Sequence, residues 1–358
     1  MPDITPQIVR DALSNVQDPE LKRDLVSLGM IKDIQIDGAK VTVEVQLTTP
    51  ACPMKEEISA DCREAIEAIP GVEKAEIKLT AKTTAGLPRK EAIPGVKNLI
   101  AIASGKGGVG KSSIAVNVAL ALANRGATVG VLDADIYGPS IPVMTGIKYG
   151  EKPGVKDHKI VPHEKFGIKL ISVGFFVDEE KPLIWRGPML TKTLETFIRD
   201  VNWGELDYLI VDLPPGTGDV QLSISQMLPL TCGVIVTTPQ DVALKDVVKA
   251  TGMFRALDVP ICGVVDNMSV FKCDECGKEH HIFGQRSADK VARKIGAELL
   301  AEIPIDTVIV ESGDKGIPLL ATEEGRQSPV GVILNKMSEK MAGIISCLNF
   351  ESTQKSAG

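Results

Sequence analysis

The ten residues Ser104-Gly105-Lys106-Gly107-Gly108-Val109-Gly110-Lys111-Ser112-Ser113 constrain this chain more than any other stretch. Gly105, Gly110, Lys111 and Ser112 meet the spacing G-x-x-x-x-G-K-[ST] of a phosphate-binding loop. The apolar run Leu99 to Ala103 comes before it, as a buried strand would, and an Ala- and Leu-rich helical pattern, Ile114 to Asn124, follows. Strand, loop and helix in that order are the context the motif requires. Glycines let the backbone N–H groups from Gly105 to Ser113 close around phosphate oxygens in conformations a Cβ would forbid. The helix opening near Lys111 turns its positive end toward the same anion. Lys111 is expected to reach the outer phosphates and the Ser112 hydroxyl to enter a Mg²⁺ shell. The loop therefore predicts nucleotide binding.

A chain of 358 residues is long enough for two domains. Its formal charge of −7 argues against a general nucleic-acid or anionic-membrane binder. No apolar run reaches the length of a membrane span, and the N-terminus has no signal-peptide pattern, so the expectation is a cytoplasmic protein. Seven cysteines in a reducing compartment do not suggest a disulfide framework. Cys62, Cys232, Cys262 and Cys347 fall in strand or helix patterns and read as core residues.

Residues 1–85 read as a small α+β unit. A helix opens at Pro6 after Thr5, and the alternating runs Ile31–Ile36 and Val41–Leu47 meet at Asp37-Gly38, a hairpin signal. A helix over Met54–Ile69 and a strand over Val72–Leu79 complete it. Cys52 lies between Pro50 and Pro53, beside the positive end of the helix, a setting expected to favour its thiolate. Residues 86–97 read as a linker. From Asn98 to residue 350 apolar strands alternate with helical stretches, predicting an α/β fold with a mostly parallel sheet covered by helices on both faces. The strands are placed at Leu99–Ala103, Val129–Asp133, Tyr208–Leu213, Val234–Thr238, Ile261–Asp266 and Leu300–Ile303, with a further one within Ile168–Phe176. A polar tail runs from Glu351.

In such a sheet ligands gather at the carboxyl ends of the strands. Asp133 and Asp135 follow the second strand, a pair able to serve a Mg²⁺ shell and an attacking water. Asp212 ends an apolar run and, after a phosphate loop, reads as the Walker B carboxylate on Mg²⁺. Pro214-Pro215-Gly216 and Gly218 follow as a loop able to sense the outer phosphate. Cys273-Asp-Glu-Cys276-Gly points two thiolates at one metal, with His280 and His281 close behind. Zinc held with the histidines, a redox pair, and a 4Fe–4S cluster shared by two chains all remain open from spacing alone.

Lys106 is a second lysine the simple loop pattern does not need. With it, the chain resembles the deviant-Walker ATPases, which include MinD, ParA-type partition ATPases, the nitrogenase iron protein and Mrp/ApbC-type iron–sulfur carriers. The segments Asp133-Ala-Asp-Ile-Tyr-Gly-Pro-Ser140 and Asp212-Leu-Pro-Pro-Gly-Thr-Gly-Asp219, with the late C-x-x-C, make the Mrp/ApbC resemblance specific. Asp-Pro-Glu at 18–20 and the Cys52 loop make residues 1–85 similar to the DUF59-like domain of iron–sulfur assembly proteins, where the matching cysteine is thought to be functional. The resemblance implies a homodimer in which Lys106 reaches the partner's nucleotide. It implies ATP, with Asp135 placing water, Asp133 near Mg²⁺ through water and Asn267 on the adenine. It also implies a cluster held by Cys273 and Cys276 of two chains, passed to apo-proteins in exchange with an assembly scaffold, with neither nucleic acid nor membrane as partner. A MinD/ParA-like positioning ATPase and a zinc-binding regulatory ATPase are the alternatives. The first would need a basic amphipathic C-terminal helix, which the tail does not offer.

Overall fold

The β-branched and apolar runs become strands wherever alternation or full burial can be satisfied. Among the described residues of the computed structural model they assemble two main sheets around separate cores, and two short two-stranded ribbons. The structure describes residues 4–86, 92–178, 187–273, 275–284 and 288–355. Part of the expected linker and the end of the polar tail lie outside the described residues. Two compact units are present, Met1–Thr84 with Ala342–Gly358, and Ala85–Met341.

In the first unit α1 (Pro6–Leu13) starts where expected, with the Thr5 hydroxyl accepting from the Ile8 N–H and Pro6 at the first helical position. Strands β1 (Ile31–Asp37) and β2 (Lys40–Leu47) form an antiparallel hairpin that turns at Gly38, where φ is +58°. Helix α2 (Lys55–Glu67) then crosses over to β3 (Lys74–Ala81), which pairs parallel with β2. Alternation in β2 turns Val41, Val43, Val45 and Leu47 into a core shared with Ile58, Cys62 and Ile66 of α2 and with Val9 and Leu13.

The second unit is built on nine strands, β4 (Val96–Ala103), β5 (Val129–Asp133), β6 (His163–Lys165), β7 (Ile168–Ser172), β8 (Leu206–Asp212), β9 (Cys232–Thr237), β10 (Ile261–Lys272), β11 (Glu279–His280) and β12 (Leu299–Ile305). Their order is β6-β7-β5-β8-β4-β9-β10-β11, with β12 also on β10. All pairings from β7 through to β12 are parallel, and only the outer ribbons β6–β7 and β10–β11 are antiparallel. Helix α3 (Lys111–Asn124) packs on β4, β5 and β8, and α7 (Asp241–Ala256) on β9. Between them in sequence come α4 (Ile141–Thr145), α5 (Gly187–Arg199) and α6 (Asp219–Met227), and then α8 (Ala288–Lys294), α9 (Thr307–Asp314) and α10 (Pro329–Lys355). Parallel pairing fixes the functional rim. Asp212 lies beside Asp133 in the β8–β5 register, so two carboxylates that are far apart in sequence end neighbouring strands. Among the described residues no helix is long and apolar enough to cross a membrane.

One element extends well past its expected end. Strand β10 continues from Asp266 to Lys272 through an irregularity in which Met268 takes φ +58°. The same strand thus carries Asn267 at the rim and leads straight into Cys273.

Candidate functional site

The phosphate loop is held from three sides. The Ser104 hydroxyl donates to the Lys106 carbonyl at 3.0 Å, and the Asn267 amide donates to the Val109 carbonyl at 2.8 Å. Gly105 packs so closely on α7 that a Cβ there would stand 2.2 Å from the Asp246 Cβ. Gly110, at φ +83°, hands the chain to α3 with no room for a side chain beside Asn267. Asn267, expected at an adenine, is thus placed as a brace of the loop that also lines the cavity above it.

Lys111 is buried among carboxylates. Its Nζ lies 2.6 Å from Asp212 Oδ1 and 3.6 Å from Asp135 Oδ2, while the Ser112 hydroxyl donates to Asp212 Oδ2 at 2.5 Å. Asp133, fully buried, accepts from the Ser172 hydroxyl at 2.8 Å and from the Asp135 N–H at 3.1 Å. Burial, and next the charge of Asp212, push the Asp133 carboxyl well above the ordinary carboxylate range. Asp135 is also raised, chiefly by burial, although the Lys111 charge pulls the other way. One lysine faces three carboxyl groups, and an incoming polyphosphate would add negative charge that a bound cation can offset. The hard-oxygen set of Ser112 and Asp212 suits Mg²⁺. Among the described residues no three His, Cys, Asp or Glu side chains are placed to hold a metal unaided, so phosphate and water oxygens would have to complete its shell.

Over the loop lies a cavity of about 900 Å³, lined by loop residues and, among others, Asn267, Met268, Ile282, Phe283, Pro304 and Asp306. That volume is in the range of cofactor sites. Lys106 is exposed at its edge, its Nζ 3.3 Å from Gln240 Oε1. No spacing pattern pointed to Ser172, Ile282 or Phe283 at this site. A hydroxyl at a strand end and an apolar pair after two histidines carry no spacing rule.

Cys273 and Cys276 occupy the turn of the β10–β11 ribbon. Phe271 pairs with His280 and Lys272 with Glu279, the Gly277 N–H donates to the Cys273 carbonyl at 2.8 Å, and Gly277 takes φ +68°. Cys276 is exposed and Cys273 half-buried. Among the described residues the histidines do not join the thiols in a three-ligand set.

The setting of Cys52 does not favour the thiolate expected there. Its thiol is buried, and desolvation, aided by the nearby charges of Glu20 and Asp18, pushes it up to about 11 despite a backbone N–H at Met54. The helix end does not offset the loss of water.

A parallel sheet with this loop on its rim, a lysine and serine aimed at a carboxylate on the adjoining strand, defines a P-loop NTPase. Residues 95–342 match the family described as NUBPL iron-transfer P-loop NTPase, and residues 6–79 match that described as iron-sulfur cluster assembly protein. The chain belongs to the NUBPL iron-transfer P-loop NTPase family. An iron-sulfur cluster carrier protein of Synechocystis sp. is 45% identical over 350 residues, 96% of this chain and 98% of the relative. One of Escherichia coli is 39% identical over 343 residues, 95% and 92% of the two chains. Among solved structures, a nucleotide-binding protein of Archaeoglobus fulgidus in complex with ADP is 36% identical, with a TM-score of 0.58 over 68% of this chain and 93% of that one.

Proposed function

We propose that the chain is an ATP-dependent iron–sulfur carrier that works in the cytoplasm as a homodimer. In this reading the 4Fe–4S cluster is cargo, held by Cys273 and Cys276 of each of two chains and passed by thiolate exchange to apo-proteins. Four ligands are the usual need of such a cluster, and one chain supplies two thiols at the ribbon. The assembly-type domain fits exchange with a scaffold.

The nucleotide side follows from the rim. The Gly105–Ser113 backbone cradles the phosphates, and Lys111 leaves Asp212 for the outer phosphates. Ser112 and Asp212 then hold Mg²⁺, with Asp133 behind them through water. That ion, when bound, neutralises charge between the phosphates. Asp135 positions the water, and Lys106, exposed and tethered only to Gln240 among its described contacts, reaches the partner's nucleotide.

The observation that carries the coupling is that the strand leading into the thiol turn and the segment leaving the ribbon both line the nucleotide cavity. Asn267 and Met268 lie on the outgoing strand, and Ile282 and Phe283 on the returning segment. Filling or emptying that cavity bears directly on the segment presenting the thiols. Anaerobic reconstitution with iron and sulfide tests the cargo, with an expected yield of about two iron per chain. Cys273→Ala/Cys276→Ala should abolish the iron–sulfide absorbance. Stoichiometric zinc, or an unchanged chromophore in the double variant, would sink the assignment. In mixed dimers a Lys106→Ala chain should impair hydrolysis at its partner's site.

A further inference from the structure

Helix α6 begins directly after the Pro-Pro-Gly loop, with Gly218 as its cap, and its third residue is Gln221. The side chain is turned inward and only 1% exposed, yet among the described residues neither its amide oxygen nor its amide nitrogen has a hydrogen-bond partner. A buried polar group left unpaired loses its bonds to water and destabilises the fold. Leucine would fill nearly the same space without that cost, so packing alone does not account for an amide here.

The amide borders a second cavity, of about 490 Å³. Its walls are Asp135, Tyr137 and Gly138 from the loop after β5, Pro214, Pro215 and Gly218 from the loop after β8, and Gln221 with its neighbour Val220. Asp135, Gly138 and Pro215 also line the nucleotide cavity, so the two spaces adjoin at Asp135, whose Oδ2 lies 3.6 Å from Lys111 Nζ. The space is polar at two points, roomy enough for water, and adjacent to the expected outer-phosphate position.

We propose that Gln221 is a further residue of the hydrolytic site, its amide holding the attacking water in the cavity it shares with Asp135. The inference rests on the ATPase reading above. A water has two hydrogens to fix. The Gln221 carbonyl oxygen accepts one and the Asp135 carboxylate the other, leaving an oxygen lone pair free for the phosphorus. In the step itself the water oxygen bonds the γ-phosphorus as the bond to the β–γ bridging oxygen breaks. That electron pair stays on ADP, and the water's protons leave with inorganic phosphate and the solvent. Gln221 takes no proton; it orients. Water bound there also satisfies the amide, which explains how the fold tolerates it.

Gln221→Leu separates this role from a structural one. Single-turnover ATP hydrolysis should fall by about 10²-fold. Affinity for a non-hydrolysable ATP analogue should stay within about twofold, and the thermal midpoint of the nucleotide-free chain should hold or rise, because an unpaired amide has been removed. Gln221→Met serves as a second volume-matched variant should the leucine chain not fold. Unchanged hydrolysis in a folded variant, or hydrolysis lost together with nucleotide affinity and thermal midpoint, overturns the proposal. Asp135→Asn, measured in parallel, should lose hydrolysis with affinity kept. Full activity there would overturn the shared water while leaving the ATPase reading intact. Absence of hydrolysis in the wild-type chain would instead remove the ATPase reading and the proposal with it.

Discussion

Asp266 shows how one buried carboxyl tunes this fold. It sits on β10 next to Asn267, 1% exposed, with Oδ2 accepting from the Ala288 N–H and Oδ1 without a partner among the described residues. Burial, together with the charge of Glu302, pushes it from an ordinary 3.8 to about 7, against the pull of the Ala288 N–H. The neutral form is the one the fold favours. Its stabilisation is complete below the unfolded value of 3.8 and is lost as pH rises through about 7. Asparagine mimics the neutral acid at every pH. Asp266→Asn should therefore gain stability relative to wild type as pH rises across that window, level off above it, and match wild type near pH ~4. Thermal melts at several pH values check this, and a constant offset would refute it. Thiol chemistry divides along similar lines. With Cys52 pushed up to about 11 by burial and Cys276 exposed, alkylation at neutral pH should mark Cys276 well before Cys52, as peptide mass spectrometry would show.

At the scale of elements, the phosphate loop depends on α7 for its shape. Gly105 touches the Asp246 backbone and Cβ so closely that Gly105→Ala forces loop and helix apart. Overpacking of this kind costs about 1–3 kcal/mol. The substitution should lower the denaturation midpoint and weaken nucleotide binding together, which chemical denaturation and equilibrium dialysis can follow. The β10–β11 ribbon is the other decisive element. Its outgoing strand and the segment just after β11 border the nucleotide cavity, so ADP should alter the alkylation rate of Cys276, and Phe283→Ala should reduce that response. A rate independent of nucleotide would refute the link.

For the whole molecule, the proposed dimer gathers what one chain lacks. One loop lysine is left exposed, and two thiols stand where a cluster takes four ligands. A non-hydrolysable ATP analogue should shift the chain toward a dimer in sedimentation equilibrium, and Lys106→Ala should weaken the shift. A monomer at all nucleotide concentrations would count against the arrangement. In the described fold the first unit also takes in the end of α10, from Ala342, and there Arg23 lies over the Phe350 ring.

Much of this was legible in the chain itself. Gly105 to Ser112 announced a phosphate loop because phosphate binding needs positive φ, bare N–H groups and a lysine in a fixed local order, all set within a few residues. The alternating strands and helices announced a parallel sheet because burial on both faces leaves continuous apolar runs. What folding in three dimensions decided were relations between distant residues. Asp133 and Asp212 share a site through strand register, and Asn267 braces Val109 across 158 positions of sequence. Ile282 and Phe283 reach the cavity because β10 runs on past the rim. Desolvation pushes the Cys52 thiol up against the pull of its helix, and packing leaves the Gln221 amide buried against a cavity that Asp135 also lines. Local chemistry can be read from spacing, but burial and long-range contact depend on which surfaces lose water together, and that is settled only when the whole chain has packed.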